Sequence, residues 1–464
     1  MDYFGVSIDD VTSLYEKGKQ TLFESDNTLN GEMLDEILSN IANLQSKVNY
    51  YEKLILRLGQ IVDYNKLKSQ NMTAQEVKKV FESDLEYLKK VEELYNNNLL
   101  KRDYMFGYPA NMEEYSYITS YLRFLESKLY LMNNCGDPYQ RGNYGMDSKE
   151  VEREIIKMFA QSFGLKDGEF WGYVTTGGTE SNFWAIREGF NKYPNAKLYF
   201  SNKTHYSVEK FVYNNRVGSV YPYEVVNTNL DGSISVDDLK EKIENDQKSG
   251  YRPVILVLTW GTTKEGAIDD VKQITQYLIS RNIEFYCHLD AALYGGIPAN
   301  QESAPKISDL KSLNVDSISI SLHKFLGTSR ANGILISLSR DKRKQIDYIG
   351  QEDSTMLGSR DFPPFSTMQR IKEFMYLKKP DHYIENVNYF KEKLKENNID
   401  YLTFDEDKCN IFVINKPSDS ICKKYQLTTF TEDKVEKAHI IIFPFHKKQI
   451  IDQLIDDIKK DTGK

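Results

Sequence analysis

Four segments of this 464-residue chain carry side chains able to do chemistry. The stretch from Gly172 to Asn182 (GYVTTGGTESN) places a Gly177-Gly178 turn ahead of a predicted helix running through Ala185 and Ile186. Such a turn exposes backbone N–H groups, and the helix dipole adds partial positive charge, so the pair suits a phosphate. Thr179 adds a hydroxyl donor. A second segment, from Lys203 to Lys210, contains His205, whose flat imidazole can stack on a planar heterocycle and move a proton. A third, from His288 to Gly296, puts Asp290 directly after an apolar run. A carboxylate there can pair with a protonated ring nitrogen and keep the ring charged, and small Ala292 leaves room for a ring beside it. The fourth, from Asp316 to Gly327, ends an alternating strand with Ser321-Leu322-His323-Lys324. A lysine amine held in a site that lowers its pKa forms Schiff bases, and Ser321 and His323 can donate to a phosphate.

Each segment alone also fits an ordinary role: a turn, a solvated histidine, a helix-capping aspartate, an exposed lysine. Their occurrence in one order, with Lys324 only 34 residues beyond Asp290, points instead to a single site for a phosphorylated, protonatable ring.

The elements that must position these residues are legible from periodicity. Between about 148 and 340, short apolar runs such as Val254–Leu258 and Phe285–Leu289 alternate with amphipathic helices such as Asp270–Ser280. Alternation of this kind predicts a mostly parallel α/β sheet covered on both faces. In open sheets of that type ligands sit at the carboxyl ends of the strands, where the four segments fall. The last hundred residues return to strands at 410–414 and 438–443 and a helix at 447–459, a small α/β domain. Residues 1–95 read as a helical extension. One apolar stripe runs through Met33, Ile37, Ile41, Leu44 and Val48, and Thr73 with Glu76 marks a later helix start. The expected division is 1–95, 96–345 and 346–464.

Composition limits the alternatives. Apolar residues are 40% and charged residues 28% of the chain, as in ordinary globular proteins. A formal charge of -8 argues against nucleic acid as a partner. No apolar run is long enough to span a bilayer, and the first residues lack the basic start and apolar run of a secretion signal. Cys135, Cys287, Cys409 and Cys422 are widely spaced, with neither a metal-ligand pair nor a dense disulfide framework, so a reduced, cytoplasmic protein without a metal site is expected.

With these residues in view, the chain resembles the pyridoxal-phosphate (PLP)-dependent group II amino-acid decarboxylases, and within them the bacterial histidine decarboxylases and plant serine decarboxylases. The resemblance runs from about residue 95 to the C-terminus. It includes Phe106-Gly107-Tyr108-Pro109, Asn133-Asn134-Cys135-Gly136-Asp137, Thr204-His205-Tyr206-Ser207, Gly261-Thr262-Thr263, Gly266-Ala267-Ile268-Asp269-Asp270 and Gly358-Ser359-Arg360, besides the Asp290 and Lys324 segments. It implies fold type I (aspartate aminotransferase-like), with a mostly parallel seven-stranded sheet, a small C-terminal domain and a homodimer. By position it assigns Lys324 to the cofactor aldehyde, Asp290 to the ring nitrogen and His205 to the ring face. It gives the phosphate to Gly178, Thr179, Ser321 and His323, and places Thr263 near the ring hydroxyl or the substrate carboxylate. Tyr108, Asn134, His205, Ser359 and Arg360 are the implied substrate contacts, and either His205 or a loop tyrosine is the proton donor.

The chain departs from these relatives at Leu322, where they have glycine, at Thr328–Gly333, and at Asp361-Phe362-Pro363-Pro364. The expected activity is decarboxylation of an L-amino acid, histidine first and serine or another amino acid next. Oxidative decarboxylation-deamination to an aldehyde, or binding without catalysis on a retained fold, are the alternatives.

Overall fold

The structure is a computed structural model that describes residues 73–127, 132–214, 221–250, 253–297, 307, 309–339, 345–376, 381–405 and 407–462. Contacts divide the chain into two units, Met1–Asn97 and Asn98–Lys464. Of the first, only the residues from Thr73 onward are described, and the stripe expected between Met33 and Val48 lies outside them. Helix α1 (Ala74–Arg102) begins where the sequence predicts. The Glu76 carboxylate accepts from the Thr73 backbone N–H at 2.8 Å, and the Thr73 hydroxyl accepts from the Glu76 N–H at 3.3 Å. This reciprocal box satisfies two N–H groups at the helix start.

The second unit is built on a seven-stranded sheet in the order β1-β7-β6-β5-β4-β2-β3. Its strands are β1 (Trp171–Thr175), β2 (Lys197–Ser201), β3 (Tyr223–Val226), β4 (Val254–Thr259), β5 (Phe285–Asp290), β6 (Ser317–Ser321) and β7 (Gly333–Ser337). β2, β3, β4, β5 and β6 pair in parallel, while β7 runs antiparallel to both β6 and β1. Every residue of β4 is buried. An unbroken Val-Ile-Leu-Val-Leu run suits a central strand covered on both faces. Helices α2 (Tyr117–Glu126), α3 (Lys149–Ser162), α4 (Gly178–Lys192), α5 (Ser207–Asn214), α6 (Val236–Lys248) and α7 (Val271–Ser280) accompany it. Asp270, expected as the first residue of α7, is its N-cap, its side chain accepting from the Gln273 N–H at 2.9 Å.

Strand β6 departs from a simple alternating strand. Ile318 and Ile320 enter the main apolar cluster, yet Ser317, Ser319 and Ser321 are buried as well. Ser317 and Ser319 meet polar side chains, and Ser321 faces the cavity of the site described below.

Beyond the sheet come β8 (Gln345–Ile346), β9 (Gln351–Glu352), α8 (Pro364–Tyr376) and α9 (Asp381–Glu396). A four-stranded antiparallel sheet of β10 (Tyr401–Leu402), β11 (Ile411–Asn415), β13 (Val435–Ile441) and β12 (Thr428–Glu432) follows, with α10 (Asp419–Lys424) and α11 (Lys448–Thr462). One buried apolar cluster extends from Ile155 through Ile318 to Ile455, so these last elements share a core with the large sheet. No helix among the described residues is long and apolar enough to cross a membrane.

His446 is buried in this shared core. It stacks on Phe106 with ring centroids 4.1 Å apart, accepts from the Phe443 N–H at 2.9 Å and donates to the Met105 carbonyl at 3.2 Å. Burial pushes its pKa down to about 4. A depressed histidine contributes stability that is complete above the unfolded value near 6.5 and is lost as pH falls toward 4, because only the unfolded chain takes the proton. A shift of this size is worth about 3 kcal/mol. Over that interval the unfolding free energy of the native chain is expected to fall by about that much more than that of His446→Gln. Parallel curves in chemical denaturation at several pH values would contradict this.

Candidate active site

The carboxyl ends of β5 and β6 lie side by side, with Asp290 paired to Ser319 and to Thr259 of β4. Asp290 ends β5 buried, and its carboxylate is held by two donors. The Asn182 side-chain amide donates at 2.7 Å and the Ala292 backbone N–H at 3.1 Å, with the Ser319 hydroxyl oxygen 3.4 Å away. Asn182 sits on α4, so one amide links that helix to the strand ends beneath it. Its side-chain oxygen accepts from the Ser319 hydroxyl at 3.0 Å and lies 3.0 Å from His288 Nε2. His288 Nδ1 in turn lies 2.8 Å from the Ser317 hydroxyl. Burial pushes the His288 pKa down to about 4, against the pull of Asp290 and Ser317, so the ring is neutral at physiological pH. The polar face of β6 is thus a hydrogen-bonded floor under Asp290.

Lys324 follows β6 on a turn in which its own N–H donates to the Ser321 carbonyl and its carbonyl accepts from the Asn111 N–H. Burial lowers the amine below the ordinary lysine value of 10.5, and the negative charge of Asp290 opposes the shift. A lowered pKa raises the share of neutral amine, which is the form that attacks a carbonyl. His323 donates from Nδ1 to the Asn332 carbonyl at 3.0 Å, and burial holds it below the ordinary imidazole value.

The glycine turn sits at the end of β1. Gly177 caps α4 with φ of 146°, a backbone that residues with a side chain rarely adopt. A Cβ on Gly178 would stand 3.0 Å from Ser321 Oγ and 3.6 Å from the Ala292 Cβ. Glycine here lets the positive end of α4 close on the ends of β5 and β6. His205 lies in the loop between β2 and α5, with Nδ1 2.8 Å from the Ser207 hydroxyl. Burial, reinforced by the Lys324 charge and opposed by Asp290, holds this imidazole below its usual pKa.

The glycine turn, Asn182, His205, Asp290, His323 and Lys324 meet at one cavity of about 400 Å³, within the size range of small-molecule sites. Gly178, Thr179, His205, Thr263, Asp290, Ala292, Ser321, His323, Lys324 and Tyr108 line it, as do Thr176, Tyr206 and Ala331. Ala331 belongs to the Thr328–Gly333 segment, expected from the sequence to depart from the family pattern. The donor set fits a phosphorylated pyridine aldehyde: a helix start with hydroxyls for the phosphate, a carboxylate for the ring nitrogen, an imidazole and an amine. No group of three or more metal-ligating side chains occurs among the described residues.

Three of the residues implied at the substrate are not part of this lining. Arg360 is buried and pairs with Glu152 at 3.2 Å while donating to the Gly136 carbonyl at 2.9 Å. The Asn134 side chain donates to the same Glu152 at 2.8 Å and accepts from the Ser148 N–H at 2.7 Å. The Ser359 hydroxyl accepts from the Asn133 side chain at 3.2 Å. Their polar groups brace α3 and the 353–360 segment. Conversely, Asn182 and Ser207 reach the site's network without a role in the sequence reading. The signal was present: Asn182 stands one helical turn beyond Gly178, and Ser207 two residues beyond His205.

The Pyridoxal-dependent decarboxylase conserved domain matches residues 188–368. The chain is 32% identical over 385 residues to a histidine decarboxylase of Pseudomonas entomophila, covering 80% of this chain and 89% of that one. It is 32% identical over 376 residues to serine decarboxylase 2 of Oryza sativa, covering 76% and 75%. Among solved structures, the L-methionine decarboxylase of Streptomyces sp.590 superposes with a TM-score of 0.67 at 20% identity, covering 81% of this chain and 95% of that one. The sphingosine-1-phosphate lyase of Burkholderia pseudomallei superposes with a TM-score of 0.66 at 13% identity, covering 82% and 90%. The chain belongs to the pyridoxal-dependent decarboxylase family. It is an enzyme that uses pyridoxal 5'-phosphate to decarboxylate an amino acid.

Proposed function

We propose that this enzyme converts L-histidine to histamine. The observation that carries the site assignment is the meeting of Lys324, Asp290, His205 and the Gly177-Gly178 helix start at one cavity. Bound PLP supplies a protonated ring that takes up the electron pair left when the substrate carboxylate departs as carbon dioxide. The protein's own groups do the rest. Lys324 would hold the cofactor and, with its amine, would receive or give up a proton beside it. Asp290 would pair with the ring nitrogen and keep its proton in place. His205 would lie against the ring face, Ala292 would leave space behind it, and Thr263 would stand near the ring hydroxyl or the substrate carboxylate. Gly178, Thr179, Ser321 and His323 receive the phosphate, and Tyr108 stands at the substrate side. Asn134, Ser359 and Arg360 lie outside this lining, and no substrate contact is proposed for them.

The same reading takes the protein as a cytoplasmic homodimer with divisions at 1–95, 96–345 and 346–464. Tyr108 and Tyr206, 53% and 63% exposed beside the cavity, offer aromatic surface for a second subunit to cover. The four cysteines are all free thiols, in keeping with a reducing compartment. Serine is the second substrate to try, since the rice serine decarboxylase matches at the same identity as the bacterial histidine enzyme. A panel of L-amino acids scored for carbon dioxide and amine is expected to give its highest kcat/KM with histidine. Oxygen uptake with aldehyde formation, or no release of carbon dioxide from any amino acid, would contradict the proposal.

A further inference from the structure

The hydrogen bonds around His205 determine which of its nitrogens carries the proton. Ser207 opens α5 and is fully buried. Its backbone N–H donates to His205 Nδ1 at 3.3 Å, and its hydroxyl lies 2.8 Å from the same atom. A backbone N–H only donates, so Nδ1 presents a lone pair. The hydroxyl's direction follows from its other neighbour. Asn182 Nδ2 stands 2.7 Å from Asp290 Oδ2 and 2.9 Å from Ser207 Oγ.

An ionised carboxylate only accepts, so the NH₂ end of the amide must face Asp290. One amide hydrogen then goes to Asp290 and the other to Ser207, which leaves the Ser207 hydroxyl to donate its own hydrogen to His205. The opposite end of the amide agrees, since the Ser319 hydroxyl donates to Asn182 Oδ1 at 3.0 Å. His288 Nε2 lies at 3.0 Å from that oxygen and takes the donor role. Two donors therefore converge on His205 Nδ1, and a neutral ring carries its single proton on Nε2.

We infer that Asn182 and Ser207 are positioning residues that lock His205 in the Nε2–H form and tie its orientation to the Asp290 carboxylate through one shared amide. The inference rests on the ring seat proposed above and adds a direction to it. His205 meets the cofactor and substrate with an N–H donor at Nε2, while Nδ1 is committed to the protein. The group that partners the ring nitrogen and the group against the ring face are set together, so disturbing Asn182 disturbs both.

The test is ¹⁵N NMR of imidazole-labelled, PLP-loaded enzyme at neutral pH, with the His205 signals identified by their loss in His205→Asn. The expected result is a protonated, pyrrole-type Nε2 and an unprotonated, pyridine-type Nδ1. In Asn182→Ala the Ser207 hydroxyl loses its orienting donor. His205 is then expected to become a mixture of tautomers, and PLP to be held about tenfold more weakly, the range for one hydrogen bond to a charged group. A wild-type signal with the proton on Nδ1 overturns the inference while leaving the cofactor seat intact, as does an Asn182→Ala protein with unchanged His205 signals and unchanged PLP affinity. A chain that takes up no PLP overturns the seat and the inference together. Should Asn182→Ala fail to fold, the wild-type spectrum alone still decides the tautomer.

Discussion

Lys324→Ala is expected to yield a folded protein that lacks the visible absorbance of the covalently held cofactor and turns substrate over at least about 10³-fold more slowly. That loss lies within the range for removing a positioned group that moves protons or forms covalent bonds in the reaction. The fold should survive because the amine is a burden on it: burial disfavours its charged form, and the opposing pull of Asp290 is the smaller effect. With the lysine gone, Asp290 keeps its donors from Asn182 and Ala292. The backbone bond from the Asn111 N–H to the residue 324 carbonyl does not depend on the side chain. Absorbance spectra, thermal unfolding and carbon dioxide release measure the three parts separately. A variant that keeps the cofactor absorbance, or that turns over at the native rate, would contradict the role assigned to Lys324.

Asp290→Ala is expected to act through affinity as well as rate. In the folded chain the carboxylate is buried and held by hydrogen bonds from Asn182 and Ala292, so it is fixed before any ring arrives. Removing one partner of a buried ion pair costs about 3–5 kcal/mol, which corresponds to roughly 10²- to 10⁴-fold weaker PLP binding. Turnover should fall further than affinity, because a ring without its proton is a poorer acceptor of electrons. The loss of charge also has a sign at Lys324. Asp290 raises that amine's pKa, so its removal lowers it, and covalent capture of PLP by the variant should reach half-maximum at a lower pH than in the native chain. Equilibrium dialysis at saturating and limiting PLP, together with the pH profile of capture, tests both. Native affinity and native rate in this variant would show that the pairing is wrong.

Much of the site was readable before any coordinates because its groups sit at strand and helix ends, where local pattern is informative. The glycine turn precedes α4, Asp290 closes β5 and Lys324 follows β6. What escaped were groups whose roles depend on elements distant in sequence. Asn182 becomes meaningful only when α4 lies over β5, 108 residues away from it. The Ser-Ile alternation of β6 looks like a strand with one face toward solvent, yet its serines meet His288 and Asn182 in the interior. Arg360 has the residue type that would hold a substrate carboxylate, but the same guanidinium satisfies the buried Glu152, 208 residues away in the chain. Sequence order carries no trace of that pairing. Element ends shifted by a residue or more, as at Val435–Ile441, because hydrogen bonding rather than hydropathy ends a strand.

The central claim concerns a single amine, and it can be read chemically. Borohydride reduction of the PLP-loaded enzyme, followed by proteolysis and mass mapping of the labelled peptide, should place one cofactor-derived mass on the peptide containing Lys324 and none on any other. Label on a different lysine, or no label at all on protein that decarboxylates its substrate, would contradict the account.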